Sequence, residues 1–200
     1  MHISEGILSA PVLVGGGALT AAGTFIGLKK LDYDQIMTVA ILTATFFVAS
    51  LIHVPIGPSS IHLVLNGLLG IILGWACFPA ILTALLLQAI FFQYGGILVL
   101  GANTFIMAAP AVVCHYLVRP RLKDRRFRAI ASFTGGFGAI LLSALCMALA
   151  LFASDLGFLR TAQVSVAANL PIMVIEGFIT MFTVSFLYRV HPDIFEETSR

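Results

Sequence analysis

From Gln35 to Val118 the sequence reads QIMTVAILTATFFVASLIHVPIGPSSIHLVLNGLLGIILGWACFPAILTALLLQAIFFQYGGILVLGANTFIMAAPAVVCHYLV, and these 84 residues include no Asp, Glu, Lys or Arg. Charged side chains are costly in the hydrocarbon core of a bilayer. A helix that crosses the bilayer takes about 20 predominantly apolar residues. The stretch is therefore long enough for about four crossings, and we expect it to lie almost entirely within a membrane.

The composition of the whole chain excludes a soluble globular domain. Of the 200 residues, 60% are hydrophobic and 10% are charged, and the mean hydropathy is +1.04. Soluble domains carry about a quarter charged residues. At about 20 residues per crossing, the helices leave no room for a soluble domain, so residues 1–200 are predicted to form a single transmembrane domain. The net charge of +2 gives no reason to expect nucleic acid as a partner.

Apolar residues occupy both faces of the long segments, as at Ile36–Phe47 and Ile140–Phe152. A membrane β-barrel would instead alternate polar and apolar residues, so the bundle is predicted to be helical. Turn signals divide the uncharged stretch at three places, His53–Pro58, Gly74–Pro79 and Tyr94–Asn103. The sequence therefore predicts an all-α integral membrane protein with seven helices, near 7–28, 35–54, 60–74, 78–93, 104–118, 129–153 and 164–188.

The helices predicted at 60–74 and 78–93 are short and are bounded by Pro and Gly. Short, interrupted helices in transporters often border the binding site, although tilt or local thinning of the bilayer also accommodates short helices. Small residues recur in pairs, at Gly23 and Gly27 and at Ala40 and Ala44. This spacing allows close helix packing, either within the bundle or against another membrane subunit.

Basic residues set the predicted orientation. Lys29 and Lys30 precede the uncharged stretch, and a basic cluster at Arg119–Arg128 follows it. Cytoplasmic loops carry an excess of Lys and Arg, so we expect both ends of the stretch on the cytoplasmic side. With seven helices the N-terminus then lies outside and the C-terminus inside. Because no basic residue precedes the first apolar run, as it would in a cleavable signal peptide, Met1 is expected to remain on the chain.

The five histidines separate by their predicted side of the membrane. We interpret His115 and His191, on the cytoplasmic side, as structural or interfacial residues. The other three lie on the outer side. Of these, His53 ends a predicted helix beside a proline and is interpreted as an interfacial residue or a neighbour of a site, so His2 and His62 remain as candidate ligands.

His2 directly follows the α-amine of Met1. The amine, the amide nitrogen between Met1 and His2 and the His2 imidazole can chelate one ion, and His62 can supply a fourth nitrogen in the same plane. A site of four nitrogens favours Ni²⁺ or Cu²⁺, admits Co²⁺ and disfavours Mg²⁺ and Ca²⁺. From these residues alone, a flexible terminal histidine and a buried structural His62 remain open as the alternative.

Glu176 is the one acidic residue well inside a predicted helix. An ionisable residue at that depth is a functional candidate by default. Its carboxyl group could pair with a polar group of the bundle, act as a neutral acid, or take part in docking a partner. The sequence contains no HExxH, GxSxG or GxxxxGK[ST] motif, so uphill transport would need a partner ATPase or an ion gradient.

Four blocks of this sequence resemble the CbiM/NikM family, whose members are the substrate-binding S components of cobalt and nickel energy-coupling factor (ECF) transporters. The blocks are Met1–Gly6, Pro58–Leu63, Tyr94–Gly96 and Leu100–Met107. The resemblance implies an S-component fold with one additional N-terminal helix, which brings the first residues of the chain into the bundle.

The resemblance also implies the residues of the site. In that family the metal is held by the terminal amine, by the amide and imidazole of the second residue, and by a further histidine. Here these positions are Met1, His2 and His62. Ser60 and Asn103 are expected to support the ligands, and the Leu100–Thr104 loop is expected to cover the site. Tyr94 stands where family members often have a histidine, so that additional histidine is missing.

The partners implied by the resemblance are a transmembrane coupling subunit (CbiQ-like), ATP-binding subunits (CbiO-like) and a small auxiliary membrane protein (CbiN-like). The chain would then be a transport subunit of the bacterial inner membrane, without enzyme activity or a permanent cofactor, that delivers Co²⁺ or Ni²⁺ to the cytoplasm. The Gln93–Gly96 segment resembles members that serve cobalamin synthesis, which favours cobalt. The alternatives are a nickel-specific S component, a secondary transporter with Glu176 as its proton site, and a metal-dependent membrane enzyme with Glu5 as its acid or base.

Overall fold

The computed structural model describes residues 3–56 and 59–195, and within these ranges it describes the side chains except at 53–61, 159, 162 and 193. This part of the chain contains eight α-helices and one antiparallel β-hairpin. In chain order they are α1 (Ala10–Lys29), α2 (Ile36–Leu51), β1 (His53–Ile56), β2 (Ser59–His62), α3 (Asn66–Leu73), α4 (Cys77–Phe92), α5 (Leu100–Leu122), α6 (Arg128–Ser154), α7 (Leu159–Ala168) and α8 (Leu170–Val190).

Six helical stretches in the described ranges are long and apolar enough to cross a membrane. They are Ala10–Lys29, Tyr33–Leu51, Asn66–Phe92, Leu100–Leu122, Arg128–Ser154 and Leu156–Val190. One of these stretches contains both α3 and α4, joined by a 3-10 turn at Gly74–Ala76, and another contains α7 and α8. The prediction of a helical, multi-pass membrane protein is confirmed.

The prediction of a helix from residue 60 to 74 is wrong at its beginning. Residues 53–56 pair with residues 59–62 in an antiparallel hairpin, with His53 opposite His62. Helix α3 begins only at Asn66, and α2 ends at Leu51 instead of residue 54. Pro55 gives the physical reason for the early end of α2: proline lacks the N–H that the interior of a helix needs, and it biases the preceding residue towards extended backbone.

Helix α3 lies at the centre of the bundle, since every one of its eight residues is buried. It runs beside α5 in the same direction: Asn66 contacts Met107, Gly70 packs against Ala111, and Gly74 lies against the ring of His115. The largest fully buried apolar side chains come from α2, α3, α4, α5, α6 and α8, among them Phe46, Leu69, Ile71, Ile81, Met107, Ile140 and Met173. The core therefore surrounds α3.

The glycines of α1 bring this helix into direct backbone contact with its neighbours. A Cβ on Gly16 would lie 2.7 Å from the Cα of Ala102, and the Thr20 hydroxyl donates to the Gly101 carbonyl at 2.6 Å. Gly23 and Gly27 pack against Phe78 and the carbonyl of Trp75. Of the two packing arrangements that the sequence left open for this pair, the structure has the one inside the bundle.

Substitution of Gly70 by alanine is expected to destabilise the protein. The new Cβ would lie 2.2 Å from the carbonyl oxygen of Ala111, and overpacking of this kind costs about 1–3 kcal/mol. Gly15→Ala on α1 is the matched control, because a Cβ there meets nothing within 4 Å. We expect a lower melting temperature in detergent for Gly70→Ala alone. Equal melting temperatures for both variants would contradict the close packing of α3 on α5.

Candidate metal site

The backbone of Ile3 is held on both sides by Asn103, near the N-terminal end of α5. The Ile3 N–H donates to Asn103 Oδ1 at 3.1 Å, and Asn103 Nδ2 donates to the Ile3 carbonyl at 3.0 Å. Both residues are buried. The two hydrogen bonds together resemble the pairing between neighbouring strands, so the residue that directly follows His2 is fixed on α5.

A second pair of hydrogen bonds holds Glu5. Its N–H donates to the Gly95 carbonyl at 3.2 Å, and its carboxylate accepts the N–H of Leu98 at 2.9 Å. Gly96 has φ +120°, and a Cβ there would lie 2.3 Å from the Glu5 side chain. The loop between α4 and α5 therefore fits around Glu5. Sequence reasoning considered Glu5 as an acid or base and missed this role.

The segment between Ile3 and α1 packs across the N-terminal end of α5 and the C-terminal end of α6. Leu8 is buried in a cluster with Ile106, Met147 and Leu151. The N–H of Ser9 donates to the Ser154 hydroxyl at 3.1 Å. This segment is thus part of the folded bundle.

His62 is the last residue of β2 and is half-buried, with its Nδ1 3.1 Å from the Leu63 carbonyl oxygen. Residues 63–65 carry no regular structure, and the chain then enters α3 at Asn66. Asn66 Nδ2 donates to the Met107 carbonyl at 3.0 Å and to the Ser143 hydroxyl at 2.9 Å. Asn66 thereby ties the beginning of α3 to both α5 and α6.

Both predicted metal-binding segments dock on one face of α5. Asn103, which holds Ile3, and Met107, which binds Asn66, stand four residues apart, about 6 Å along the helix axis. Ile3 is adjacent to His2 in sequence, and the four residue steps from His62 to Asn66 can span at most about 14 Å. The structure therefore places Ile3, which follows His2 in the sequence, and Asn66, which lies four residues after His62, against adjacent turns of α5.

Several residues predicted for the site lie outside what the structure describes. Met1 and His2 belong to this group, as do the side chains of Ser60 and His53. Among the described residues, no three His, Cys, Asp or Glu side chains cluster in a way that could hold a metal ion. The ligand set of terminal amine, His2 and His62 therefore stays a prediction.

The prediction of a covering loop at Leu100–Thr104 is wrong, because α5 begins at Leu100. The Thr104 hydroxyl is fully buried and donates to the Leu100 carbonyl at 2.8 Å, within the helix itself. The glycine that suggested a loop has a different function: a Cβ on Gly101 would lie 2.6 Å from the Cα of Gly17. Gly101 allows α1 and α5 to touch.

Glu176 on α8 accepts two backbone hydrogen bonds from the segment between His62 and α3. Its Oε1 lies 2.5 Å from the N of Val64 and 2.9 Å from the N of Leu65. The side chain is fully buried, and its Oε2 has no hydrogen-bond partner among the described residues. Sequence reasoning identified Glu176 as a candidate but gave no means to find its partners.

From the sequence, His115 was interpreted as a structural or interfacial residue, and its burial in the structure fits a structural residue. It is buried on α5, and its Nδ1 lies 2.9 Å from the Gly70 carbonyl oxygen near the end of α3. His191 is exposed directly after α8.

Comparison with known proteins gives a consistent result over the whole chain. Residues 2–194 match the CbiM family model, described as the cobalt uptake substrate-specific transmembrane region. A putative metal transport protein of Haemophilus influenzae is 39% identical over 204 residues, which cover 99% of this chain and 98% of the relative. A crystal structure of a truncated transition metal transporter has a TM-score of 0.83 at 31% identity, covering 96% of this chain and 100% of the other.

A fused relative is also similar. A putative fused cobalt transport protein CbiMQ of Methanocorpusculum labreanum is 29% identical over 216 residues. The match covers 98% of this chain and 36% of the fused protein.

Proposed function

Because this chain belongs to the CbiM family of cobalt-uptake, substrate-specific transmembrane proteins, we propose that it is the substrate-binding subunit of an ATP-driven importer of the ECF type. It captures Co²⁺ or Ni²⁺ outside the cell and delivers the ion to the cytoplasm. The family consists of metal-transport membrane components, so the chain acts by binding and moving an ion instead of converting a substrate.

The metal ligands in this proposal are the terminal amine of Met1, the amide and imidazole nitrogens of His2, and the His62 imidazole. The observation that carries the proposal is the docking of both segments on one face of α5, through Asn103 and Met107. A flexible terminal histidine would need no such attachment of the next residue. Asn103 acts through the backbone, by orienting Ile3, and residues 1–200 act as one transmembrane metal-binding domain.

Cobalt is the preferred cargo in this proposal, with cobalamin synthesis as its use, and a nickel-specific protein is the alternative. Four nitrogen donors favour Ni²⁺ and admit Co²⁺, whereas the resemblance of the Gln93–Gly96 segment to members that serve cobalamin synthesis favours cobalt. The ion is transported and released, so the protein keeps no permanent cofactor.

The proposed topology has seven crossings, with the N-terminus outside and the C-terminus inside. In this count the stretch Asn66–Phe92 provides two crossings. Residues 63–65, which carry no regular structure, form one crossing together with α3, and α4 forms the next. This arrangement is supported by the parallel course of α3 and α5. It also leaves Lys29, Lys30 and the basic segment Arg119–Arg128 on the cytoplasmic side, as expected for the bacterial inner membrane.

Partner subunits supply the driving force in this proposal. A CbiQ-like coupling subunit is supported by the fused CbiMQ relative. CbiO-like ATP-binding subunits are needed because this sequence has no phosphate-binding loop of the GxxxxGK[ST] type, and a CbiN-like protein completes the set.

Uptake of Co²⁺ into proteoliposomes tests this proposal. We expect uptake when the chain is reconstituted with its coupling and ATP-binding subunits and ATP is supplied on the cytoplasmic side. Uptake should fall to background without the coupling subunit, or with an ATP-binding subunit that cannot hydrolyse ATP. Uptake by this chain alone, driven by a proton gradient and abolished by a protonophore, would instead support a secondary transporter that uses Glu176.

A further inference from the structure

Helix α3 begins inside the bundle instead of at its end. The preceding residues Val64 and Leu65 are buried although they carry no regular structure, and Leu65 has φ +54°. Irregular backbone at such a position must find hydrogen-bond partners within the protein, because the surrounding lipid and apolar side chains offer none. The N–H groups of Val64 and Leu65 therefore need an acceptor from another element.

Glu176 supplies that acceptor. One carboxylate oxygen takes both N–H groups, across a sequence separation of 112 residues from Val64. Asn66, the next residue, is bound to the Met107 carbonyl on α5 and to Ser143 on α6. Helices α5, α6 and α8 thus fix the three consecutive residues Val64, Leu65 and Asn66. His62 lies only two residues before Val64 in the sequence.

We propose that Glu176 is a positioning residue for metal capture: by fixing Val64 and Leu65, it determines where His62 stands relative to the N-terminal segment. Glu176 does not touch the ion. This inference rests on the proposed role of His62 as a ligand. Residues that orient metal ligands affect affinity by about 10- to 100-fold when they are removed.

The geometry distinguishes this role from that of a proton carrier. Glu176→Gln keeps an oxygen that can accept both N–H groups, but it cannot bind and release a proton. Glu176→Asp keeps the acid but is one methylene shorter and cannot reach both N–H groups from the same backbone. A positioning residue therefore tolerates Gln and fails with Asp, whereas a proton carrier tolerates Asp and fails with Gln.

The test uses the full-length protein in detergent with its native N-terminus. Ni²⁺ affinity is measured by calorimetry, and the visible absorption spectrum of bound Ni²⁺ reports the ligand geometry. We expect wild-type affinity and spectrum for Glu176→Gln, and about 10- to 100-fold weaker binding with a shifted spectrum for Glu176→Asp and for the apolar Glu176→Met. Thr180→Val is the control, because this fully buried residue on the same helix makes no side-chain hydrogen bond among the described residues.

The possible results have separate meanings. Wild-type affinity and an unchanged spectrum in both Glu176→Asp and Glu176→Met would overturn the positioning role while leaving the metal site intact. A wild-type protein that binds no Co²⁺ or Ni²⁺ would overturn the proposed function itself. If Glu176→Met does not fold, Glu176→Asp decides, because it retains the charge and a shorter version of the same contact. Loss of binding in Thr180→Val as well would assign the effect to general damage of α8 and overturn the inference.

Discussion

A protein that carries the extension Gly-Ser-Gly before Met1 is expected to lose metal binding, although none of its own side chains has changed. In the proposed site the α-amine of Met1 is a ligand, and the extension converts this amine into an amide within the chain. A protonated amide nitrogen is a poor metal donor, so it cannot replace the amine in the five-membered chelate ring that the amine closes with the His2 amide nitrogen. The remaining imidazoles of His2 and His62 would hold the ion far more weakly.

The native and the extended protein, each with a C-terminal tag, are equilibrated with equimolar Co²⁺, Ni²⁺ and Zn²⁺, and the retained metal is counted by mass spectrometry. We expect near-stoichiometric cobalt or nickel in the native protein and none in the extended one. A single added glycine is less suitable, because it would place the histidine third from a new amine, where the amine, two amides and the imidazole form a chelate of their own.

Cleavage directly before Met1 provides the matched control. A protease that removes the extension without leaving a residue should restore stoichiometric binding in the same sample. Equal binding by the native and extended forms would remove Met1 from the site. If neither form binds metal, a secondary transporter with Glu176 as its proton site would become the preferred hypothesis.

Replacement of Asn103 by leucine is expected to have the second largest effect. The change preserves the branching and the number of heavy atoms of the side chain but removes both hydrogen bonds to Ile3, so a buried N–H and a buried carbonyl lose their partners at about 1–3 kcal/mol each. The segment from Ile3 to Leu8 should detach from α5, and metal affinity should fall by about 10- to 100-fold. Asn103→Asp should behave similarly, because one carboxylate oxygen would face the Ile3 carbonyl.

Calorimetry with Co²⁺ and amide hydrogen exchange measure the two parts of this prediction. Residues 3–5 should exchange faster in Asn103→Leu than in the wild type. Asn169→Leu, which removes the local hydrogen bond to the Ser165 carbonyl between α7 and α8, is the control and should leave affinity unchanged. Unaltered affinity in Asn103→Leu would show that the attachment of Ile3 is irrelevant to the site.

The helical membrane fold could be predicted because its signal is local. An uncharged, continuously apolar run such as Gln35–Val118 is predicted to cross a bilayer as helices, and each crossing can be recognised from the length of its apolar segment. The beginning of α3 could not be predicted in this way. An apolar run looks the same in sequence whether or not its backbone is helical. The acceptor that permits irregular backbone at Val64 and Leu65 lies on α8, far away in sequence.

The candidate site likewise has features that the sequence predicts and features that depend on partners distant in the sequence. Asn103 was expected to support the ligands. In the structure it binds the backbone of Ile3, the residue that follows His2 in the sequence, and its support of the ligands stays a prediction. The role of Glu5 was missed because its partners are backbone groups of Gly95 and Leu98, which carry no sequence signal. Gly101 was misread because a glycine that permits two backbones to touch looks the same in sequence as a glycine that permits a loop.

The contacts between α1, α3 and α5 also restrict how this protein can move. Gly16 meets Ala102, Gly101 meets Gly17, and Gly70 meets Ala111, in each case with backbone against backbone. Helices in such contact cannot slide past one another without first separating, because no flexible side chains lie between them to repack. We therefore expect α1, α3 and α5 to behave mechanically as one rigid block. Access to the ion from the two sides of the membrane would then change by rotation of this block within the bilayer, and not by the opening of a channel through it.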